Sequence, residues 1–332
     1  MVDEKTYCPL IFKGLYIRRY TGDKKQVAPC CLADKSENFT RMENVLSHSY
    51  LQEIRLHAKN NKKHDACRAC WDLESAGGES NRMLLIDQYK VNLKELNFEV
   101  KLKHLDYNTL PICNAKCIIC SADYSSLWAA EKGIKIINGS KFQERHLDDL
   151  DLDSIETIYF NGGEPLLTNE HLYILKSIKN PSNVDLSYNT NGSCFPNVET
   201  FNLWKKFKSV NLFFSIDGIG ERFEYTRAPL KWNQVSENII KINDLCNIKI
   251  SCSYTIGRHN VFDLEDTIKW FNNLNSFDVT NQFHVHYVSP PHPLSFTNIP
   301  SHEAKLFVTE LEKFKDYYWY NEIKNTIQNE KT

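Results

Sequence analysis

From residue 101 onward the hydrophobic positions alternate between two patterns. Short apolar runs rich in β-branched and aromatic residues, Leu102–Tyr107, Thr157–Asn161, Val184–Asn189, Val210–Ile216, Ile248–Thr255 and Phe283–Val288, predict strands. Between them lie segments of helical length and period: Tyr124–Ile137, Asn169–Lys179, Val198–Phe207, Trp232–Leu245 and Val261–Asn273. In the fourth, Val235, Ile239, Ile242 and Leu245 recur at steps of three and four, which puts them on one helix face. Strands alternating with helices form βα units and a parallel sheet, either open or curved into a partial barrel. Ligands of such sheets gather at the carboxyl ends of the strands. Polar punctuation falls there: Asn161-Gly162-Gly163-Glu164-Pro165, Asn189-Thr190-Asn191-Gly192 and Ser215-Ile216-Asp217-Gly218.

The first 70 residues follow another pattern, dense in turn formers and charge. They contain one strand-like stretch, Leu15–Arg18, and one helical stretch around Ser49–Lys59. Asp72–Asn81, with Gly77-Gly78, reads as a linker. Asn81–Tyr89 reads as a further helix, and Ser301 to about Tyr320 as a terminal one. No internal repeat or low-complexity tract interrupts the chain.

The length of 332 residues suggests about two domains. Charge nearly cancels, with 40 Lys+Arg against 42 Asp+Glu, which disfavours a nucleic-acid binder and an acidic disordered tail alike. The first 70 residues hold 13 Lys+Arg against 8 Asp+Glu, so the remainder is negative. The longest apolar runs are only a few residues and the start has no secretory h-region, so the expectation is a cytoplasmic protein without membrane spans.

Cysteine usage changes the picture. There are eleven, an odd number, in a chain expected in a reducing compartment, where clustered cysteines point to metal or redox chemistry. Cys194, Cys246 and Cys252 stand alone and read as small apolar core residues. Cys113, Cys117 and Cys120 form a tight C-x3-C-x2-C after the first barrel strand. Three thiolates at this spacing can converge on one inorganic centre. Structural zinc and the usual iron–sulfur cluster both take four protein ligands, and no fourth is evident beside these three. A 4Fe–4S cluster held by three thiolates leaves one iron open to an exogenous ligand.

Taken with Gly162-Gly163-Glu164-Pro165, Asn191-Gly192, Ser215-Ile216-Asp217-Gly218 and Glu224-Tyr225-Thr226-Arg227, this loop resembles the radical SAM (S-adenosylmethionine) superfamily over residues 101–299. The resemblance implies an α/β fold, a partial (β/α)6 TIM-like barrel. It also implies a 4Fe–4S cluster on Cys113, Cys117 and Cys120 whose open iron chelates SAM. Reductive cleavage of SAM then gives a 5′-deoxyadenosyl radical that abstracts a substrate hydrogen; the cofactor supplies this chemistry and the protein supplies placement. In this reading Gly162 and Gly163 allow close backbone approach to the methionine amino group and Glu164 accepts from that ammonium. Ser215 and Asp217 stand where a ribose hydroxyl is bound, Arg227 partners the SAM carboxylate, and Asn189 and Asn191 face the cofactor. The residue before the third cysteine is often aromatic in the family and is Ile119 here, leaving its backbone to meet the adenine.

The amino-terminal segment offers four more thiolates: Cys8, one of Cys30 and Cys31, Cys67 and Cys70. A loop-rich segment of this size has little core and often needs a metal staple, which by spacing is zinc or iron–sulfur. The order of features resembles the twitch (shortened SPASM) domains that carry an auxiliary 4Fe–4S cluster, although those usually follow the barrel. The implied organisation is residues 1–75 as a small N-terminal cysteine-rich auxiliary domain, 76–100 as linker and helix, 101–299 as the barrel core, and 300–332 as a C-terminal helix. Relatives of this type imply an oxidoreductase-type enzyme acting on a peptide or protein, fed by a flavodoxin- or ferredoxin-type reductant. The alternatives are a radical dehydrogenase of a small-molecule alcohol and a non-enzymatic zinc-binding interaction protein. His284, His286 and His292 near the sixth strand read as ordinary loop histidines, and Tyr317–Tyr320 as packing of the terminal helix.

Overall fold

The computed structural model describes residues 6–19, 25–38, 45–75, 77–93, 95–135, 150–245, 247–297 and 299–329. Eight strands form one sheet: β1 (Gly14–Arg19), β2 (Lys25–Ala28), β3 (His104–Asn108), β4 (Thr157–Asn161), β5 (Asp185–Thr190), β6 (Ser209–Ser215), β7 (Ile248–Ile256) and β8 (Phe283–Tyr287), in the order β2-β1-β3-β4-β5-β6-β7-β8. The class is α/β with a mostly parallel sheet, consistent with a partial TIM-like barrel. The six strands expected after residue 101 are all present, with ends shifted by at most two residues. The chain divides into two compact units, one of Met1–Pro111, Lys135–Ser187 and Glu199–Lys208, the other of Ile112–Ile134, Tyr188–Val198 and Ser209–Thr332.

In the first unit β1 pairs parallel with β3, and β3 with β4, while β2 folds back antiparallel on β1. The register sets Tyr16 opposite Asp106 and Asp106 opposite Tyr159, and sets Asn108 opposite Asn161. Polar side chains thus share one sheet face near the carboxyl ends. Helix Ser49–Lys59 starts where the His48 ring accepts from the Tyr50 N–H, and it buries Leu51, Ile54 and Ala58 along one stripe. Ile54 and Ala58 of that stripe join Tyr7, Ile11, Phe12 and Ala66 in a small apolar cluster against which Cys8 and Cys67 pack.

In the second unit β6, β7 and β8 are parallel neighbours, with Phe214 opposite Cys252 and Cys252 opposite Phe283. Helix Trp232–Asn243 turns Trp232, Val235, Ile239 and Ile242 inward, following the apolar spacing of its sequence. Cys252 is fully buried, as expected, whereas Cys194 is only half-buried beside the Ser193 hydroxyl. Cys246 and the end of the expected Tyr124–Ile137 helix lie outside the described residues; the described helix there is Ser126–Glu131. Trp319 and Tyr320 are buried in the tail.

Three local expectations change. The stretch expected to be a linker is helical through Ser75, because Arg68–Ser75 forms a helix anchored by buried Trp71, and Ser80 caps the next helix by accepting from the Met83 N–H. The terminal helix stops at Leu311, passes through a 3-10 turn at Glu312–Phe314, and a separate helix runs Tyr320–Asn329. Strand β2 carries no apolar alternation to reveal it, since its buried positions include Lys25. Among the described residues no helix is long and apolar enough to cross a membrane.

His171, on helix Glu170–Ser177, is 2% exposed, and burial lowers its pKa from 6.5 to about 4. Below pH 6.5 the unfolded chain takes up a proton there and the folded chain does not. Its contribution to stability is therefore lost as pH falls toward 4, at up to about 1.4 kcal/mol per unit. His171→Phe should flatten the fall in urea midpoint across this window relative to the parent, and parallel profiles would contradict the assignment.

Candidate functional site

The C-x3-C-x2-C loop lies in the second unit and is held at several points along its backbone. Ser126 Oγ donates to the Cys113 carbonyl at 2.8 Å and lies 3.1 Å from the Cys113 N–H, and the Trp128 ring N–H donates to the Cys117 carbonyl at 2.9 Å. The Lys116 and Ile118 N–H groups donate to the carbonyls of Ala228 and Thr226, so the loop runs beside the chain on either side of Arg227. The Arg227 guanidinium lies 3.8 Å from the Cys117 sulfur and pairs with Asp217 at 2.7 Å, both side chains being almost fully buried. Burial pushes the Cys117 thiol up, and Arg227 opposes that shift. Burial together with the neighbouring Cys117 pushes Cys120 up to about 11, again opposed by Arg227.

Asn191 is buried, with its side-chain amide 3.8 Å from the Cys113 sulfur and 2.9 Å from Asn114 Oδ1. Asn114 also donates to the Ser193 hydroxyl at 2.8 Å. Asn114 and Ser193 were not singled out in the sequence. Asn114 sits inside the cysteine motif, but its partner is distant in the chain and only the fold shows it. The Asp217 carboxylate, besides pairing with Arg227, accepts from the Thr255 N–H at 2.9 Å, and the Asp217 carbonyl accepts from Asn260. Asn189 ends β5 with Thr190, Ser215 ends β6, and Ile119 lies in the cysteine loop; all three are half-buried.

Gly162, Gly163 and Glu164 follow β4 in the first unit. Gly162 has φ +114, and a Cβ there would meet the Thr109 carbonyl and nitrogen at 2.7 and 2.8 Å, so only glycine fits. Glu164 is fully buried and accepts from the Leu166 N–H, capping the turn Pro165–Leu167.

Cys8, Cys30, Cys67 and Cys70 line one cavity, also in the first unit, with Leu10, Ala33, Trp71 and Arg82 around them. Cys31 is not among its lining residues and is exposed. Burial pushes Cys8, Cys30 and Cys67 each up to about 12, so without a metal their thiols are neutral. The nearby N–H groups of Leu10 and Ile11 oppose that rise at Cys8, and those of Leu32 and Ala33 oppose it at Cys30.

The sulfur spacing tests what these thiols fit. Four sulfurs around one tetrahedral zinc, each about 2.3 Å from the ion, lie only about 3.8 Å from one another. Among the described residues the group of metal-ligating atoms found within 4.8 Å of one another is Glu53, His57 and His64, and it includes no cysteine. Among the described residues no three cysteine sulfurs are gathered within that 4.8 Å. Nearby backbone N–H groups in one set, and a guanidinium beside the Cys117 sulfur in the other, favour thiolates.

No family model and no curated protein matches this chain. Solved structures do match it. A structure described as native anSMEcpe with bound AdoMet is 17% identical at a TM-score of 0.43, over 67% of this chain and 61% of that one. Streptococcus suis SuiB bound to S-adenosylmethionine is 12% identical at a TM-score of 0.44, over 90% and 70% of the two chains. SuiB bound to precursor peptide SuiA is 12% identical at 0.43, over 80% and 50%. The match thus spans about three fifths of the anSMEcpe chain.

The buried ion pair yields a direct test. Arg227→Met leaves the Asp217 carboxylate buried without its counter-charge and should cost about 3–5 kcal/mol in chemical denaturation. The double variant Arg227→Met/Asp217→Asn should recover part of that loss. A double variant no more stable than Arg227→Met would show that the two groups are not coupled.

Proposed function

We propose that this chain is a radical SAM enzyme with two iron–sulfur centres, an oxidoreductase acting on a peptide or protein. The observation that carries the reading is the triad Cys113, Cys117 and Cys120 in one loop, backed by a buried guanidinium that reaches the Cys117 sulfur and pairs with Asp217. A 4Fe–4S cluster bound there with SAM supplies reductive cleavage of the SAM sulfonium bond. The residues of the chain hold and shield this chemistry. Arg227 offsets the charge of the Cys117 and Cys120 thiolates, and Asp217 keeps Arg227 in place. Asn191, fixed by Asn114, donates toward Cys113. Gly162, Gly163 and Glu164 receive the methionine end of SAM, Ile119 meets the adenine through its backbone, and Asn189 and Ser215 contact the nucleoside.

Cys8, Cys30, Cys67 and Cys70 hold the auxiliary cluster, with Cys30 rather than Cys31 as the fourth ligand because Cys30 lines the shared cavity. With four protein thiolates this centre has no open iron, so it relays electrons or braces the fold while a flavodoxin- or ferredoxin-type protein supplies the reductant.

Anaerobic purification tests the reading. The protein should be brown, contain about eight irons, and release 5′-deoxyadenosine from SAM under dithionite. Cys67→Ala should lower the iron to about four and remove one electron paramagnetic resonance signal, and Cys113→Ala should abolish SAM cleavage. A colourless zinc protein would overturn the proposal.

A further inference from the structure

Arg82 follows the four clustered cysteines in the sequence, yet it lines their cavity, and among the described lining residues it alone is charged. The residue is 7% exposed, and each nitrogen of its guanidinium has a partner. Nε and Nη2 donate to the two oxygens of Glu74 at 2.9 and 2.7 Å, a bidentate pairing, and Nη1 donates to the Tyr7 carbonyl at 2.9 Å. Tyr7 immediately precedes Cys8, and Glu74 lies one turn after Cys70 on the helix Arg68–Ser75. Arg82 Cζ also lies 5.1 Å from the centre of the Trp71 ring. Trp71 follows Cys70, and its ring N–H donates to the His64 carbonyl at 3.1 Å, at the start of the turn that ends on Cys67. Glu74 accepts in addition from the Ser80 hydroxyl, and Ser80 caps the helix that carries Arg82. One buried cation thus ties the backbone beside Cys8 to the helix of Cys70, and every residue involved belongs to the first unit.

We infer that Arg82 is a positioning residue for the Cys8–Cys30–Cys67–Cys70 centre, clamping the Cys8 segment to the Cys67–Cys70 segment so that their sulfurs stay placed for ligation. This rests on the function proposed above, which puts an iron–sulfur cluster on those cysteines. A buried ion pair is on average no better for stability than apolar side chains of the same volume. What the Arg82–Glu74 pair adds is direction, because a planar fork against a carboxylate allows one relative orientation of the two groups it joins. Partners that orient the ligands of a metal centre without touching the metal are typically worth about 10–100-fold in its affinity.

The test uses the full-length reconstituted protein and two readouts that need no turnover: the rate at which an iron chelator strips the protein, and the electron paramagnetic resonance spectrum of the reduced auxiliary centre. Arg82→Met should speed the loss of about four of the irons by about tenfold or more and alter the auxiliary signal. The signal of the Cys113–Cys117–Cys120 centre should stay as in the parent. Arg82→Lys, which keeps the charge and loses the fork, should behave like Arg82→Met. Should the single variants fail to fold, Arg82→Met/Glu74→Met removes both charges together and leaves neither group buried alone. That double variant should match the parent in urea denaturation of the iron-free protein and still release the auxiliary irons faster. Any of these variants, folded and loaded, with parental iron retention and a parental auxiliary spectrum would overturn the inference and leave the enzyme assignment intact. A parent protein that holds only about four irons would overturn the auxiliary centre itself.

Discussion

A guanidinium buried beside sulfur needs a carboxylate, and much of the second unit is arranged around that need. Arg227 stays charged at any pH the fold survives, so removing it from water without a counter-ion is prohibitive. Asp217 supplies the counter-charge and is itself fixed by the Thr255 N–H of β7 and, through its carbonyl, by Asn260. The backbone on either side of Arg227 then receives the Lys116 and Ile118 N–H groups of the cysteine loop. The end of β6, the end of β7 and the loop carrying Cys113, Cys117 and Cys120 therefore meet at one ion pair. Displacing it would move sulfur as well as charge.

The first unit solves a different problem. Two of its four clustered cysteines, Cys8 and Cys67, are set against a small apolar cluster that includes Tyr7, Ile11, Phe12 and Ile54, and burial alone would keep Cys8, Cys30 and Cys67 protonated. The low polarity that suppresses the free thiolate also strengthens its attraction to a cation, so ligation releases protons and adds directly to folding free energy. On the proposed reading, this region gains much of its stability from its metal, whereas the second unit is held to one arrangement by a pair whose partners cannot be separated without leaving a buried charge.

What could be read from the chain depended on whether a signal was local. Thr157–Asn161 and Ser49–Lys59 were expected with the boundaries they have, because strand composition and a single apolar helix stripe are local properties. The spacing of Cys113, Cys117 and Cys120 and the Gly-Gly-Glu turn were legible for the same reason. Strand β2 was not, since it exists by pairing with β1 and buries a lysine that reads as surface. The choice between Cys30 and Cys31 was open in sequence because adjacent residues differ only in direction. The fold turns Cys30 into the cavity lined by the other three thiols and leaves Cys31 exposed. The contacts of Asp106 with Asn161 and of Asn114 with Asn191 and Ser193 carry no sequence spacing at all.

Strand β2 has one more consequence. A parallel sheet ending at β1 would present a full strand of unpaired amides and carbonyls to other molecules. Instead the chain reverses into an antiparallel strand of only four residues, so the outermost edge on that side is short. Short edges offer little template for a second sheet to extend.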